Sequence, residues 1–201
     1  DGMKFGVGEP ATRVEDARLL RGLGRYSDDI NERGQLRAYF VRSPFPAAQI
    51  VGIDTSAALA SPGVSAAYVG ADIQNDGLGN LPCLLSRLRP QTRPDGTPMY
   101  LPARAAICTE RVAFVGDIVA MILAETHEQA RDAAELVEVN YQEEPANVDP
   151  AIARNPETAP VWPDCPDNVS FRFDLGDRSA VSQAIAEAHH VVEVDLPITR
   201  I

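Results

Sequence analysis

The stretch from Arg111 to Tyr141 constrains the fold more than any other part of the sequence. Residues 112–124 are almost all apolar, and only Gly116 and Asp117 interrupt them. An apolar run that is rich in valine and isoleucine is typical of strands buried on both faces. A glycine inside such a run marks a bulge or a close backbone approach. The sequence therefore predicts two buried strand segments within 112–124, hinged at Gly116.

A helix and a further strand are predicted directly after this run. Thr126 can serve as an N-cap, and Gln129 three residues later completes a capping box. Small apolar residues follow at helical spacing, so a helix with one apolar stripe is predicted over 127–135. Residues 137–142 then alternate between apolar and polar, which is the period of a half-buried strand. The whole unit contains no evident catalytic group, and we predict that it is a scaffold.

Short strands and helices are predicted to alternate in the residues before this unit. Their apolar patterns predict strands at 35–42, 49–54 and 64–69 and helices at 14–20 and 57–60. Thr55 or Ser56 is the predicted N-cap of the second helix.

Two motifs near the N-terminus resemble functional sites without meeting their requirements. Gly6-Val7-Gly8 lacks the preceding strand that a dinucleotide site needs, so a flexible arm is predicted there. Asp28 and Asp29 are adjacent, and adjacent side chains of a strand point to opposite faces. A solvated turn is therefore favoured over an acid–base pair.

The region 74–110 is predicted to be a long irregular connection, because it is dense in glycine, proline, asparagine and aspartate. A loop of this length in a compact domain is functional or contacts another part of the protein. Its arginines, Arg87, Arg89, Arg93 and Arg104, form the nearest thing to a positive cluster in the chain. An anion site, solvated side chains and local pairing with carboxylates are all open at this point, and the spacing of the loop arginines favours the last two over an anion site.

The residues after 142 resemble a domain boundary followed by a second unit. Prolines are frequent between 150 and 166, where Trp162 is predicted to pack against its own domain or to anchor a partner. The patterns then predict a strand at 169–173, a helix around 181–188 and a strand at 191–196. Because two strands are marginal by themselves, we expect this second unit to be truncated. The glycosylation sequon at Asn168 is discounted because no secretion signal is visible.

Charge and cysteine content exclude several classes of protein. The net charge is −11 without a Lys/Arg cluster, so neither nucleic acid nor an anionic membrane surface is an expected partner. No apolar run is long enough for a membrane span and no signal peptide is visible, so a cytoplasmic protein is expected. Cys83, Cys108 and Cys165 are far apart and form no metal-binding spacing, which predicts free thiols in a reducing compartment.

A series of segments resembles the beginning of the large, molybdopterin-binding subunit of the molybdenum hydroxylases, the xanthine dehydrogenase, aldehyde oxidase and aerobic carbon monoxide dehydrogenase family. The matching segments are 14–20, 22–30, 41–44, 53–59, 62–64, 115–120 and 133–141. Each is short, but they occur in the family's order over most of the chain. Residues 46–49, where the family usually has a histidine-containing stretch, and Asp117, where glutamate is commoner, depart from the pattern.

The resemblance implies an α+β fold, with an α/β hammerhead domain followed by the start of a second α/β domain. The implied division is an N-terminal arm and short helix at 1–19 and the hammerhead domain at 20–146. The division continues with a Pro-rich linker at 147–167. It ends with the truncated beginning of the molybdopterin-binding domain at 168–201.

The resemblance also implies a function for the complete subunit. The family oxidises an aldehyde, an N-heterocycle or carbon monoxide with water as the oxygen source. It uses a molybdopterin-type molybdenum cofactor, with [2Fe-2S] clusters and FAD on partner subunits. The cofactor loops lie further along the family's chain, so this chain is expected to hold no catalytic, cofactor-binding or metal-binding residue and to be inactive alone.

The expected partners are the remaining C-terminal domains of the same subunit and the iron–sulfur and flavin subunits, and a homodimer is left open. The alternative is a free-standing acidic interaction or binding module that has a hammerhead fold and no redox chemistry.

Overall fold

The computed structural model describes residues 12–196 of the chain. Strands and helices alternate through much of this range. The strands are β1 (Arg37–Arg42), β2 (Ala48–Asp54), β3 (Val64–Val69), β4 (Arg111–Val112), β5 (Ile118–Ala124) and β6 (Glu138–Glu143). The helices are α1 (Asp16–Leu19), α2 (Ser56–Leu59), α3 (Gly70–Asn75), α4 (Leu84–Leu88), α5 (His127–Ala134) and α6 (Arg178–Glu187).

The strands form two antiparallel three-stranded sheets, which confirms the α+β class. The first sheet has the order β1-β5-β3 and the second the order β4-β2-β6. The predicted hinge at Gly116 lies between the second sheet, which the chain leaves after β4, and the first sheet, which it enters at β5. The buried strand segment predicted before Gly116 was largely wrong, because only Arg111–Val112 is a strand and Phe114 and Val115 are exposed. Gly116 has φ +91°, a conformation that favours glycine. Its N–H donates to the Ser43 carbonyl at 2.8 Å, and the Arg42 guanidinium donates to its carbonyl at 2.8 Å.

Strand β5 is the centre of the fold, and it is buried on both faces as predicted. On one face Ile122 packs against Ala58 of α2 and against Ala133 and Ala134 of α5. On the other face Val119 packs against Ala48 and Val112 of the second sheet. The alternation of side chains along one strand therefore contributes to both apolar clusters of residues 12–196.

Helix α5 begins with the predicted capping box. The Thr126 N–H donates to the Gln129 side chain at 3.0 Å, and the Gln129 N–H donates to the Thr126 hydroxyl at 3.2 Å. Gly63 lies against the same Gln129 side chain with φ +78°, and a Cβ at Gly63 would come within 2.5 Å of the amide. At α2 the prediction was partly wrong. Thr55 is the N-cap residue but makes no side-chain cap, and the Asp54 carboxylate accepts from the Ser56 N–H instead.

Several sequence predictions outside the central unit were wrong. The strand predicted at 169–173 is reduced to an isolated bridge between Arg172 and Thr92. The strand predicted at 191–196 has no partner among the described residues, and all six of its residues are exposed. Region 74–110 contains α4, a helix that the dense turn residues concealed. The motif at 6–8 lies outside the described residues, and Asp28 and Asp29 are in an exposed 3-10 turn, as expected.

A search of the described residues for membrane-spanning helices found none of sufficient length and apolar character.

Candidate functional site

The long connection after α3 and the Pro-rich segment after β6 fold against each other. Thr92 bridges to Arg172, and the Tyr100 N–H donates to the Ser170 carbonyl at 2.8 Å. The Ser170 hydroxyl donates in return to the Tyr100 carbonyl at 2.8 Å. We call these two segments, residues 89–111 and 144–172, the loop cradle.

An ion pair inside the cradle involves one of the four loop arginines. The Arg93 guanidinium donates to both carboxylate oxygens of Asp167 at 2.8 Å, and it lies 3.6 Å from the Cys165 sulfur. The Val169 N–H and then the guanidinium hold the pKa of Asp167 below its usual value. Cys165 is buried, and burial raises the pKa of its thiol. The cluster therefore holds a neutral thiol beside a satisfied ion pair, which is a structural arrangement.

The other loop arginines do not complete an anion site with Arg93. The Arg104 guanidinium lies over the Phe114 ring at 5.4 Å, a cation–π contact. Arg87 and Arg89 are exposed and make no side-chain ion pair in the part of the chain that the structure describes. Arg93 is paired with a carboxylate, but its partner Asp167 is distant in the sequence, so the local pairing that the sequence favoured is not what the structure shows.

A cavity of about 320 Å³ surrounds Cys108 at one side of the cradle, where Arg104, Phe114, Asp117 and Trp162 are among the lining residues. Burial, and after it the Asp117 carboxylate, raises the pKa of Cys108 to about 12. Because the thiolate is the nucleophilic form, a thiol with this pKa is a poor nucleophile at neutral pH. Asp117 is held in place, since its carboxylate accepts from the Ala113 N–H at 3.1 Å.

A second cavity, of about 510 Å³, lies on the other side of Trp162. Its wall includes Tyr100, whose hydroxyl donates to the Asp164 carboxylate, so that burial and this hydrogen bond raise its pKa. The Asn147 side-chain nitrogen is buried without a hydrogen-bond partner at the same cavity. Trp162 is half-buried between the two cavities, in agreement with packing against its own domain.

Asn168 is a structural residue of the cradle that sequence reasoning identified only as a sequon. Its side-chain oxygen accepts from the Val161 N–H at 2.8 Å, and its side-chain nitrogen donates to the Ala153 carbonyl at 2.8 Å. Its backbone has φ +54°, a conformation that asparagine tolerates better than most residues. The preceding Pro166-Asp167 pair was the available turn signal.

Within 12–196, no group of three or more histidine, cysteine, aspartate or glutamate side chains is arranged to hold a metal ion. Cys108 and Cys165 both have raised thiol pKa values, whereas metal ligation requires the thiolate. We therefore derive no reaction step on these residues, and the absence of catalytic and cofactor residues from this chain stays a prediction.

The surface beyond the cradle carries exposed apolar side chains. Helix α6 buries none of its residues, and its apolar stripe faces solvent. Large apolar residues that are at least about half exposed include Leu78, Leu81, Leu84, Leu88, Leu175, Val181, Ile185, Val191, Val192, Val194 and Leu196. Exposed apolar side chains mark an interaction site where they form a contiguous patch.

The sequence model of a family described as aldehyde oxidase and xanthine dehydrogenase, a/b hammerhead domain, matches residues 21–145. This chain therefore belongs to that family, whose members include large subunits of molybdenum hydroxylases. It is 38% identical to the nicotine 6-hydroxylase large subunit of Paenarthrobacter nicotinovorans, over 92% of this chain and 21% of that protein. It is 34% identical to the carbon monoxide dehydrogenase large chain of Afipia carboxidovorans, over 95% of this chain and 23% of that protein.

Solved structures give the same result for the fold. The crystal structure of the Cu,Mo-CO dehydrogenase in its carbon monoxide reduced state matches with a TM-score of 0.65 and 32% identity, over 92% of this chain and 23% of that one. Quinoline 2-oxidoreductase from Pseudomonas putida 86 matches with a TM-score of 0.60 and 34% identity, over 76% of this chain and 18% of that one. The chain thus spans about a fifth to a quarter of the length of these relatives.

Proposed function

We propose that this chain is the N-terminal hammerhead scaffold of the large subunit of a molybdenum-dependent hydroxylase or dehydrogenase. The observation that carries the proposal is the similarity to two large subunits over more than nine-tenths of the chain. The proposed division is the one that the resemblance implied: arm at 1–19, hammerhead at 20–146, linker at 147–167 and the start of the next domain at 168–201.

The chain's own residues would act as a brace. Strand β5 is packed on both faces. The ion pair of Arg111 with Glu144, at 2.6 Å, joins the two segments of the cradle beside the second sheet, where Arg111 is part of β4. The Arg111 guanidinium also donates to the Val161 carbonyl at 2.8 Å. Such a brace holds a neighbouring site in one geometry without touching the reacting atoms, and preorganisation of this kind is what catalytic sites require.

The proposal places the molybdopterin-type cofactor on the remaining C-terminal domains of the same subunit, and [2Fe-2S] and FAD on partner subunits. The cofactor would supply oxidation of the substrate with water as the oxygen source. Supporting this placement, the chain exposes an apolar helix face and a row of leucines that neighbouring domains or subunits would cover. A cytoplasmic location is part of the proposal, and the three unpaired cysteines support it.

The proposal is tested with the complete subunit, co-expressed with its iron–sulfur and flavin partners. The purified, molybdenum-loaded complex should reduce an artificial dye with an aldehyde, an N-heterocycle or carbon monoxide as the electron donor. The 201-residue chain alone is the matched control, and it should fold, reduce no dye and contain no stoichiometric metal in elemental analysis. A fully loaded complex that is inert with all three donors would favour the interaction-module alternative, and metal bound to the short chain would contradict the scaffold role.

A further inference from the structure

A groove runs beside β1, one of the two edge strands of the first sheet. Its cavity has a volume of about 540 Å³. Five consecutive residues of β1, 38–42, line it together with His127 and Ala134 of α5 and with Glu135, which directly follows α5. Side chains of a strand alternate between its two faces. A cavity on one face would therefore contact every second residue. Contact with five residues in succession places this cavity along the edge of the strand.

Within the part of the chain that the structure describes, that edge carries backbone groups without partners. Strand β1 pairs with β5 on one side only, and among residues 12–196 no backbone hydrogen bond reaches Arg37–Arg42 from the other side. In an antiparallel pair, alternate residues direct their N–H and C=O groups away from the partner strand. A row of unpaired groups is a template for a further strand, and natural proteins cover or disrupt such edges.

The groove has an apolar half and a polar half. Tyr39, Phe40 and Val41 line the first half, where the Tyr39 ring meets the His127 ring edge-on at 5.6 Å. A second cavity, of about 590 Å³, meets the first at Ala38 and His127. Apart from Leu36, its other lining residues are polar, namely Asp28, Asn31, Gln35 and Arg37. The two cavities extend along about eight residues of chain, or roughly 26 Å at about 3.3 Å per residue. This length suits one ordinary strand.

We propose that β1 accepts a further β-strand from the part of the large subunit outside this chain, so that the first sheet has four strands in the complete protein. The inference rests on the proposed function. The relatives place more than three-quarters of their length outside the matched region, which supplies many candidate segments. Covalent connection gives such a segment a high effective concentration at the groove. Its side chains should be apolar at alternate positions beside Tyr39 and Val41 and polar beside Asn31 and Gln35.

Amide hydrogen exchange with single-residue resolution tests the proposal. In the 201-residue chain, alternate amides of β1 should exchange fast, because they have no acceptor. In the complete subunit the same amides should exchange at least about tenfold more slowly, since a backbone hydrogen bond must open first. Exchange is normalised to β5, which is already paired on both sides, so that a general gain in stability is not counted.

A pair of substitutions makes the test specific to the groove. Phe40→Glu puts a carboxylate into the apolar half at a residue that is 39% exposed, so the fold should tolerate it. In the complete subunit this variant should return the alternate β1 amides to fast exchange. Val51→Glu is the matched control, because Val51 is also an exposed apolar strand residue but lies in the second sheet, outside the groove.

The outcomes separate this inference from the proposed function. If the complete subunit is active but the β1 amides remain fast, the strand-addition site is wrong and the scaffold function stands. If the same amides become protected in the short chain as its concentration rises, the occupant is a second copy and the inference is overturned. If the complete complex has no activity with any donor, the proposed function fails, and this inference fails with it.

Discussion

Helices α5 and α6 carry the same local signals and have opposite surroundings. Each begins at a side chain that caps the first turn: Thr126 accepts from the Gln129 N–H, and Asp177 accepts from the Ala180 N–H. Each has an apolar stripe. Helix α5 buries Ala130, Ala133 and Ala134 against the first sheet, whereas α6 buries no residue.

The difference shows that an N-terminal cap and an apolar stripe are enough to specify where a helix forms, but they do not determine how stable the helix is. Most helical stability in proteins comes from tertiary packing of the apolar face, and isolated helices of about ten residues are marginal in water. Helix α5 has its packing partner in β1 and β5. Helix α6 would gain one only from residues beyond the described range or from another chain. The proposed scaffold role therefore predicts that α6 depends on its neighbours and α5 does not.

The largest effect is expected from Ala133→Asp compared with Ala184→Asp. Ala133 is 1% exposed, so the carboxylate introduced by Ala133→Asp would be buried without a partner. The free energy of unfolding should therefore fall by at least about 3 kcal/mol. Ala184 occupies the exposed stripe of α6, and the same change should stay within about 0.5 kcal/mol. Urea unfolding followed by circular dichroism measures both.

If Ala133→Asp does not fold, Ala133→Leu offers a milder version, with an expected loss of about 1–3 kcal/mol from overpacking. Equal losses for Ala133→Leu and Ala184→Leu would mean that α6 packs against the rest of the chain, contrary to the comparison.

An intermediate effect is expected from Gly63→Ala compared with Gly176→Ala. Both glycines have positive φ, +78° at Gly63 and +99° at Gly176. Gly63 lies against Gln129 in the first turn of α5, and Gly176 comes just before α6 in the sequence. The Cβ at Gly63 would also displace the Gln129 amide from the α5 capping box, whereas nothing lies within 4 Å at Gly176. Gly63→Ala should lower the free energy of unfolding by about 1–3 kcal/mol. Gly176→Ala should leave the global unfolding midpoint unchanged, and a shift of equal size would contradict the independence of α6.

The central unit was predictable because its local and tertiary signals agree. The run at 112–124 is apolar on both faces, and its glycine is the only residue suited to the turn between sheets. The error there concerned the segment before Gly116, where only Arg111–Val112 is a strand and Phe114 and Val115 are exposed. Outside this unit, Thr55 was named as a possible cap of α2, but the Asp54 carboxylate accepts the hydrogen bond. The strand predicted at 191–196 was wrong because alternation describes a strand that has a partner, and none is present among the described residues.

The cradle could not be predicted, since its contacts join residues about 70 positions apart. Nothing in the sequence pairs Arg93 with Asp167 or Tyr100 with Ser170. Only the turn residues around Asn168 gave a local signal, and it specified backbone shape without naming a partner.

A smaller effect is expected from removing each cap. Thr126→Ala leaves the Gln129 N–H without its acceptor, so the free energy of unfolding should fall by about 1 kcal/mol. Asp177→Ala removes the equivalent bond, but it should reduce only the helical signal of α6 and leave the global midpoint unchanged. Urea unfolding together with helix-resolved NMR shifts separates the two results. A midpoint that is unchanged for Thr126→Ala would mean that packing alone sets the start of α5.

The smallest expected effect is the response of the two helices to acid. The Ser179 hydroxyl, at 2.6 Å, and then the Ala180 N–H, at 3.0 Å, hold the pKa of Asp177 below its usual 3.8. A carboxyl whose pKa is lower in the folded state stabilises above its unfolded-state pKa and loses that contribution as pH falls through the folded-state value. The cap of α6 should therefore weaken as the pH falls below about 3.8, whereas the Thr126 hydroxyl of α5 does not titrate. Glu128 in the first turn of α5 also has a lowered pKa, but the buried alanines hold that helix when Glu128 is protonated.

The Ala180 amide shift, followed by NMR from pH 6 to pH 2, should move with the protonation of Asp177. In Asp177→Asn, whose side chain still accepts a hydrogen bond but has no acid to protonate, the same amide should stay constant. An Ala180 shift that is flat in the natural protein would mean that the carboxylate does not carry the cap.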